Sequence, residues 1–139
     1  DRLVDSATLA NLKFNSGKPA FYSVAWNDMP VEVSSLISIP LKSARFFKDA
    51  GLMQSPFIKF LAESKITPSG IFILEFFIDN EVTPRKTVST DSPTTIILQN
   101  SFSISDITDG VHTIFVNGKV SGAGMVGNLR LTEIYMSAE

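Results

Sequence analysis

Residues 94–104, TTIILQNSFSI, alternate apolar and polar side chains with the two-residue period of a half-buried β-strand. Ile96, Leu98, Phe102 and Ile104 are predicted to face a core, and the residues between them to face solvent. A strand with one apolar and one polar face is typical of an antiparallel sheet that packs on one side only. This stretch therefore predicts a β-sandwich.

The same alternation recurs on both sides of this stretch. In VEVSSLISI, Val31, Val33, Ile37 and Ile39 are predicted to point inward. Turn signals such as Asp109-Gly110 separate the strands. Further strands are predicted at 8–14, 20–26, 57–61, 71–79, 111–117 and 129–136. About eight short strands at this spacing predict an all-β fold, an antiparallel β-sandwich or jelly roll, as a single domain over residues 1–139.

One segment departs from the alternation. SARFFKDAG offers Ser43 as a helix N-cap and Gly51 as a C-cap. A short helix is therefore predicted at about 43–50, in a connection that covers one open end of the sandwich.

Composition restricts the classes of function. Twelve Lys and Arg against fourteen Asp and Glu give a net charge of −2, so nucleic acid is not a predicted partner. No apolar run approaches the roughly 18 residues of a spanning helix, so membrane insertion is not predicted. The absence of cysteine excludes disulfides and thiol chemistry, and it gives no information about the redox compartment.

Two strands carry apolar residues on both faces. The second face holds Ile71, Ile73 and Phe77 on one strand and Phe115 on another. Outer faces of sandwiches are normally polar, so these four residues are predicted to be covered. A partner subunit would make them an oligomer interface. The alternative is that the helical connection or a terminal segment folds over them.

The best candidate ligand-binding residues are Tyr22, Trp26 and Asp28. Tyr22 and Trp26 share one face of a predicted strand beside a polar turn that contains Asp28, an arrangement suited to stacking a sugar ring. The alternative is that both aromatic residues pack in the core, which the abundance of Phe over Trp and Tyr favours.

No catalytic residue, cofactor or metal site is predicted, and the chain is not predicted to be an enzyme. The one histidine, His112, lies in phase with Ile114 and is interpreted as structural, since metal sites need several ligands. Asp106 and Asp109 precede Gly110 without the spacing of a calcium loop, so turn chemistry is the favoured explanation, with an Asx-turn at Asp106.

Residues 122–127, GAGMVG, match the G-x-G-x-x-G pattern of dinucleotide-binding loops. The twelve residues that follow read as a strand, LRLTEIYM, and supply no helix or ribose-binding acid. The glycines are therefore predicted to form a flexible hairpin connection between the last two strands. The apolar phase of LRLTEIYM shifts between Leu131 and Ile134, which indicates a β-bulge near Thr132-Glu133.

The stretch FSISDITDGVHTIFV resembles a pattern that is widespread in extracellular and viral β-sandwiches and that is formed here by Phe102, Ile104, Ile107, Asp109-Gly110 and His112. The continuation, VNGKVSGAGMVGNLRLTEIYMSAE, resembles the C-terminal hairpin of the jelly-roll head domains of bacteriophage tail fibres and spikes, which are tumour-necrosis-factor-like. It implies a homotrimeric head on the virion surface that binds a cell-surface glycan or protein receptor. The alternatives are a carbohydrate-binding module of a secreted, extracellular protein and a capsid decoration protein.

Overall fold

The computed structural model describes the backbone of residues 21–23 and 29–137, and the side chains of 29–137 apart from that of Thr132. No helix occurs in these residues. They form the strands β1 (Phe21–Ser23), β2 (Val31–Val33), β3 (Ile39–Lys48), β4 (Phe57–Thr67), β5 (Phe72–Ile78), β6 (Lys86–Thr90), β7 (Ile96–Ser103), β8 (Gly110–Val120) and β9 (Val126–Ser137).

The strands build two antiparallel sheets that pack face to face. A five-stranded sheet has the order β1-β9-β4-β7, with β2 also paired to β9, and a four-stranded sheet has the order β3-β8-β5-β6. From β2 onward every connection except β5–β6 crosses between the sheets, which places the loops at the two ends of the sandwich. The predicted all-β sandwich of jelly-roll type is confirmed.

Period-two burial builds the core between the sheets. Every second residue of β4 and of β5 is buried. Phe60 of one sheet stacks on Phe76 of the other with ring centroids 4.0 Å apart, and Phe76 also contacts Phe102 of β7. Because Phe60 and Phe76 are each at most 1% exposed, this aromatic contact joins the two sheets at the centre of the core.

The predicted helix at 43–50 is wrong, because residues 43–48 belong to β3 and the next two residues lead into a turn. Ala44 and Phe46 are buried, and so are Lys42 and Lys48, which occupy the same inward phase. The ammonium of Lys42 donates to the Met29 carbonyl at 2.6 Å, so a lysine stem can fill a core position. Polar residues at inward positions concealed the alternation. Ser43, the predicted N-cap, is an exposed strand residue.

Two other differences concern strands. VEVSSLISI is two strands rather than one, because residues 34–38 form a bend in which the Ser35 hydroxyl donates to the Ile37 carbonyl at 2.6 Å. Ile37 is consequently 73% exposed and not inward. β6 was not predicted. The strand predicted at 8–14 lies outside the described residues, and of 20–26 only β1 is described.

The GAGMVG segment connects β8 to β9, as predicted, but it is not a hairpin since these strands lie in different sheets. Gly124 has a φ of 80°. Gly127 needs no such conformation; a Cβ there would lie 2.5 Å from the ring of Phe72 in the opposite sheet. The three glycines serve a tight crossover and a close approach of the two sheets.

Candidate functional site

An open groove of about 480 Å³ lies on the outer face of the five-stranded sheet, across β7, β4 and β9. The register places Ser101, Lys59 and Tyr135 in one row across the three strands. The next row holds Gln99, Leu61 and Glu133. The lining residues are Lys59, Phe60, Leu61, Gln99, Asn100, Ser101 and Tyr135.

A β-bulge sets the orientation of Tyr135. Leu61 pairs with Glu133 but Ala62 pairs with Leu131, so Thr132 is an extra residue in β9. The bulge predicted near Thr132-Glu133 is confirmed. It restores the inward phase at Ile134 and thereby turns Tyr135 to the outer face. Without the extra residue, alternation from Leu131 would bury position 135.

The groove combines one aromatic ring with several hydrogen-bonding groups. Tyr135 and Lys59 are half-buried and Gln99 is exposed. Asn100 lies opposite Phe60 in the inward phase of β7, and its side-chain oxygen accepts a hydrogen bond from the Ser101 amide at 2.8 Å. Further along the same face, Arg130 and Glu63 form an ion pair at 3.7 Å. The arrangement provides stacking and hydrogen bonding on a rigid sheet.

The structure tests the ligand residues predicted from sequence only in part. The backbone of Tyr22 lies in β1 opposite Met136. The side chain of Tyr22, and all of Trp26 and Asp28, lie outside the described residues. Tyr135 is not among the residues predicted from sequence, although its phase after the predicted bulge places it on the outer face of the sheet.

The residues predicted to form an oligomer interface lie mainly on the outer face of the four-stranded sheet. Phe77 and Phe115 are direct partners on β5 and β8, and Ile73 lies opposite Lys119 on the same pair of strands. Ile71 precedes β5 and is 43% exposed. Phe115 also has Ser43 opposite it on β3. Phe77, Phe115 and Ile73 are half-buried within this chain.

A second polar cluster holds the β7–β8 loop, residues 104–109. His112 faces Asp79 through Nδ1 at 2.5 Å and the Thr108 carbonyl through Nε2 at 2.7 Å, while its ring stacks on Phe46. A carboxylate and a carbonyl only accept hydrogen bonds, so this geometry suits an imidazolium that donates from both nitrogens. His112 has the structural role that its isolation in the sequence indicated.

Lys48 and Arg85 hold the same loop. The Lys48 ammonium donates to the carbonyls of Ser105 and Ile107. Arg85 donates to both carboxylate oxygens of Asp106, at 2.6 and 3.0 Å, and to the Ser103 carbonyl at 3.2 Å. The Asp106 side chain therefore forms an ion pair with Arg85, and it also accepts a hydrogen bond from its own backbone amide.

Electrostatics reinforces these contacts. The hydrogen bonds from Arg85 lower the pKa of both Glu81 and Asp106, and these carboxylates raise the pKa of Arg85. Desolvation acts against the charged forms of Asp79 and His112. The hydrogen bond between them, the backbone hydrogen bonds at Thr113 and Thr108 and the attraction between the two charges together outweigh desolvation, so the pKa of Asp79 is lowered and that of His112 is raised.

The turn interpretation of Asp109-Gly110 agrees with the structure. Gly110 has a φ of 126°, and an Asp109 carboxylate oxygen accepts from the Ala50 amide at 3.0 Å. Within the described ranges, no group of three or more His, Cys, Asp or Glu is placed to hold a metal ion. The same residues contain no helix long and apolar enough to cross a membrane.

No family model and no curated protein matches the sequence. Among solved structures, the CBM36-1 domain of a multidomain xylanase from the hindgut metagenome of Trinervitermes trinervoides is similar over 88% of this chain and 98% of its own, with a TM-score of 0.51 and 7% identity. TmCBM61 in complex with beta-1,4-galactotriose gives a TM-score of 0.48 at 11% identity, over 88% of this chain and 92% of that one.

A structure of infectious bursal disease virus, Gx strain, gives a TM-score of 0.49 at 16% identity, over 87% of this chain and 32% of that one. At such low identities a likeness reports the fold alone. The similarity to the CBM36-1 domain agrees with the strand order and the buried faces described above. The chain has the fold of a jelly-roll β-sandwich.

Proposed function

We propose that the chain is a non-catalytic glycan-binding domain whose binding surface is the groove on the outer face of the five-stranded sheet. The observation that carries the proposal is the row Ser101–Lys59–Tyr135 on three adjacent strands. Sugars present an apolar ring face and many hydroxyl groups, and bind where an aromatic ring lies beside hydrogen-bonding side chains. An open groove also admits a chain that is longer than one sugar.

Two further observations support binding rather than catalysis. The described residues that line the groove include no Asp, Glu or His, whereas glycoside hydrolysis uses a pair of carboxyl groups. The fold is shared with the CBM36-1 domain of a xylanase. An extracellular or virion-surface location is part of the same proposal.

The direct test is a glycan array followed by calorimetry on Tyr135→Ala. We expect the variant to weaken saccharide binding at least tenfold, since it loses the stacking surface, and Tyr135→Phe to retain most of it. Phe47→Ala is the matched control, because Phe47 is an exposed aromatic on the outer face of the other sheet. Binding that survives Tyr135→Ala but disappears in Trp26→Ala would move the site to Tyr22, Trp26 and Asp28.

A homotrimeric virion-surface head is the second candidate function, with host receptor binding as its role. Apolar residues on the outer face of the four-stranded sheet favour it: Phe47 and Val111 are paired and 55% and 58% exposed. Phe77 and Phe115 form a second apolar pair on this face, separated from the first by the row of Arg45 and Thr113. In the trimer this face and Ile71 and Ile73 would contact a neighbouring subunit. Light scattering at micromolar concentration tests this; a monomer would exclude it. Co-sedimentation with empty capsids would instead indicate a decoration protein.

A further inference from the structure

We infer that the open edge of β7 binds the same edge of a second copy of this chain, antiparallel and about a two-fold axis at Gln99. The open edge is the side of β7 that faces away from β4, with which β7 pairs among the described strands. The two five-stranded sheets of such a dimer form one continuous sheet.

β7 differs from the other strands that lie at sheet edges. β1 and β2 have three residues each and β6 has five. β3 contains Pro40 and the exposed Arg45, and its register shifts between Pro40 and Lys42. Short length, charge, proline and bulges keep an edge from pairing with another chain. β7 has eight residues, no proline, no charge and no register shift, so among the described edge strands it is the one suited to pairing.

The hydrogen bonds at the end of β7 show which main-chain groups point to the open edge. The Ile104 amide donates to the Pro56 carbonyl at 2.9 Å. In an antiparallel pair such bonds recur at every second residue, so Ile104 and alternate residues before it direct their main-chain groups to β4. The groups that point to the open edge therefore belong to residues 97, 99, 101 and 103.

Two of these four residues already bond to side chains. The Ser103 carbonyl accepts a hydrogen bond from Arg85, which is itself paired with two carboxylates, so this position stays occupied. The Ser101 amide donates to the side chain of Asn100 at 2.8 Å, a local contact that a partner strand can replace. Three positions of the row remain for a partner, and Gln99 is the central one.

A row centred on one residue is complementary to its own copy. Pairing about Gln99 places this residue opposite the partner's Gln99, and Ile97 opposite the partner's Ser101. Each opposed pair exchanges two hydrogen bonds, which gives about six across the interface. Opposed residues point to the same face of a sheet, so the outer faces of both copies lie on one side. Gln99 and Ser101 also line the groove, so the two grooves meet at the axis.

The side chains favour a second copy over an extended segment of another protein. An amide both donates and accepts, so two Gln99 side chains can bond to each other across the axis. Like charges in opposed positions would destabilise the pair, and residues 94–105 contain no charged side chain. Ile97 is 63% exposed, and the partner strand covers it. Two-fold homodimers are also the commonest oligomers.

The first test is the mass of the full chain in solution as a function of concentration. Pairing through one strand is a small interface, below about 1,200 Å², so we expect a weak dimer. Sedimentation velocity should show one chain at low micromolar concentration and two chains at several hundred micromolar.

Charge substitutions at the axis locate the contact. Gln99→Lys and Gln99→Glu each place like charges opposite each other, so either variant alone should remain monomeric. A mixture of the two should dimerise about tenfold more tightly than either variant alone, because the opposed charges then attract. Gln99 is exposed, so both variants should fold, which circular dichroism checks. Thr87→Lys is the matched control, since Thr87 is exposed on β6, an edge strand of the other sheet.

Three outcomes would overturn the inference. One is a monomer at every concentration, whether the edge is bare or covered by another segment of the chain. Another is an oligomer whose mass Gln99→Lys leaves unchanged, which would place the contact on a different surface. The third is a mixture of the two charged variants that stays monomeric. None of these results affects the saccharide test with Tyr135→Ala, so the two proposals succeed or fail separately.

Discussion

Replacing Gly127 with alanine is the sharpest test of how the two sheets meet. The added Cβ would lie 2.5, 2.6 and 2.8 Å from three atoms of the Phe72 ring. Carbon atoms in contact lie about 3.5 to 4.0 Å apart, so the overlap is roughly 1 Å. Phe72 is 0% exposed and cannot retreat. Overpacking of this kind costs about 1 to 3 kcal/mol, and the size of the overlap predicts the upper end.

The other two glycines of GAGMVG provide matched comparisons. A Cβ at Gly124 meets nothing within 4 Å, but its φ of 80° disfavours an L residue, so Gly124→Ala should cost about 1 kcal/mol. At Gly122 the nearest atoms are the Cε and Sδ of Met125, the end of a flexible side chain, at 2.9 and 3.3 Å. Gly122→Ala should therefore cost roughly 0.5 kcal/mol or less.

Urea denaturation measures the free energy of unfolding of each variant. A loss near 3 kcal/mol lowers the midpoint by roughly 1 to 1.5 M for a domain of this size. Phe72→Leu should partly rescue Gly127→Ala, with a coupling energy of about 1 kcal/mol, because the smaller side chain vacates the overlap. A close contact between Gly127 and Phe72 is refuted if Gly127→Ala is no more destabilising than Gly124→Ala, or if the two substitutions at the contact are strictly additive.

Four further predictions concern the core and the contacts of the β7–β8 loop. The pKa of His112 is raised in the folded state, so its contribution to stability is complete below its ordinary pKa of about 6.5 and is lost as the pH rises through the higher folded value. Urea denaturation from pH 5 to 9 should show this loss of stability. His112→Gln should abolish the pH dependence. The pKa of Asp79 is lowered in the folded state, so the stability that it contributes is lost as the pH falls below about 4. Asp79→Asn should remove this dependence of stability on acidic pH. A double-mutant cycle with Phe60→Leu and Phe76→Leu should give a coupling of about 0.5 to 1.5 kcal/mol, whereas additive effects would mean that the ring contact adds nothing to burial. Arg85→Lys should destabilise the β7–β8 loop by about 1 kcal/mol, because one ammonium cannot reproduce the two-pronged pairing with Asp106. The loop should then be cleaved faster by proteases, and an unchanged cleavage rate would contradict this prediction.

Strands with a regular alternation were predictable from sequence, and strands that bury lysine were not. The pattern in 94–104 gave the correct element and placed Phe102 and Ile104 in the core. At its start, Ile96 is 37% exposed because β7 is an edge strand of its sheet. The helix predicted over part of β3 does not form because Lys42 and Lys48 take inward positions in a strand, which their distant carbonyl partners make acceptable. Local propensity contains no information about those partners.

The candidate site was less predictable than the fold. The bulge that turns Tyr135 outward was visible as a phase shift within one strand. The groove itself depends on the order of β7, β4 and β9 in the sheet, which brings residues 59, 101 and 135 into one row. A single sequence without pairing information does not specify that order. Residue type alone favours Trp26 over Tyr135 as the aromatic residue that would stack on a sugar ring.

The loop between β7 and β8 is shaped by residues that are not part of it. Lys48, Arg85 and His112 come from three other places in the chain, and they hold the loop through the carbonyls of residues 105, 107 and 108 and through the carboxylate of Asp106. Every amino acid supplies a carbonyl, so Ser105 and Thr108 can be exchanged while the loop keeps its path. Ile104, Asp106 and Asp109 take part through their side chains and have to be kept. This end of the sandwich therefore accepts new surface side chains at positions 105 and 108, because the contacts that shape the loop there come from elsewhere in the chain.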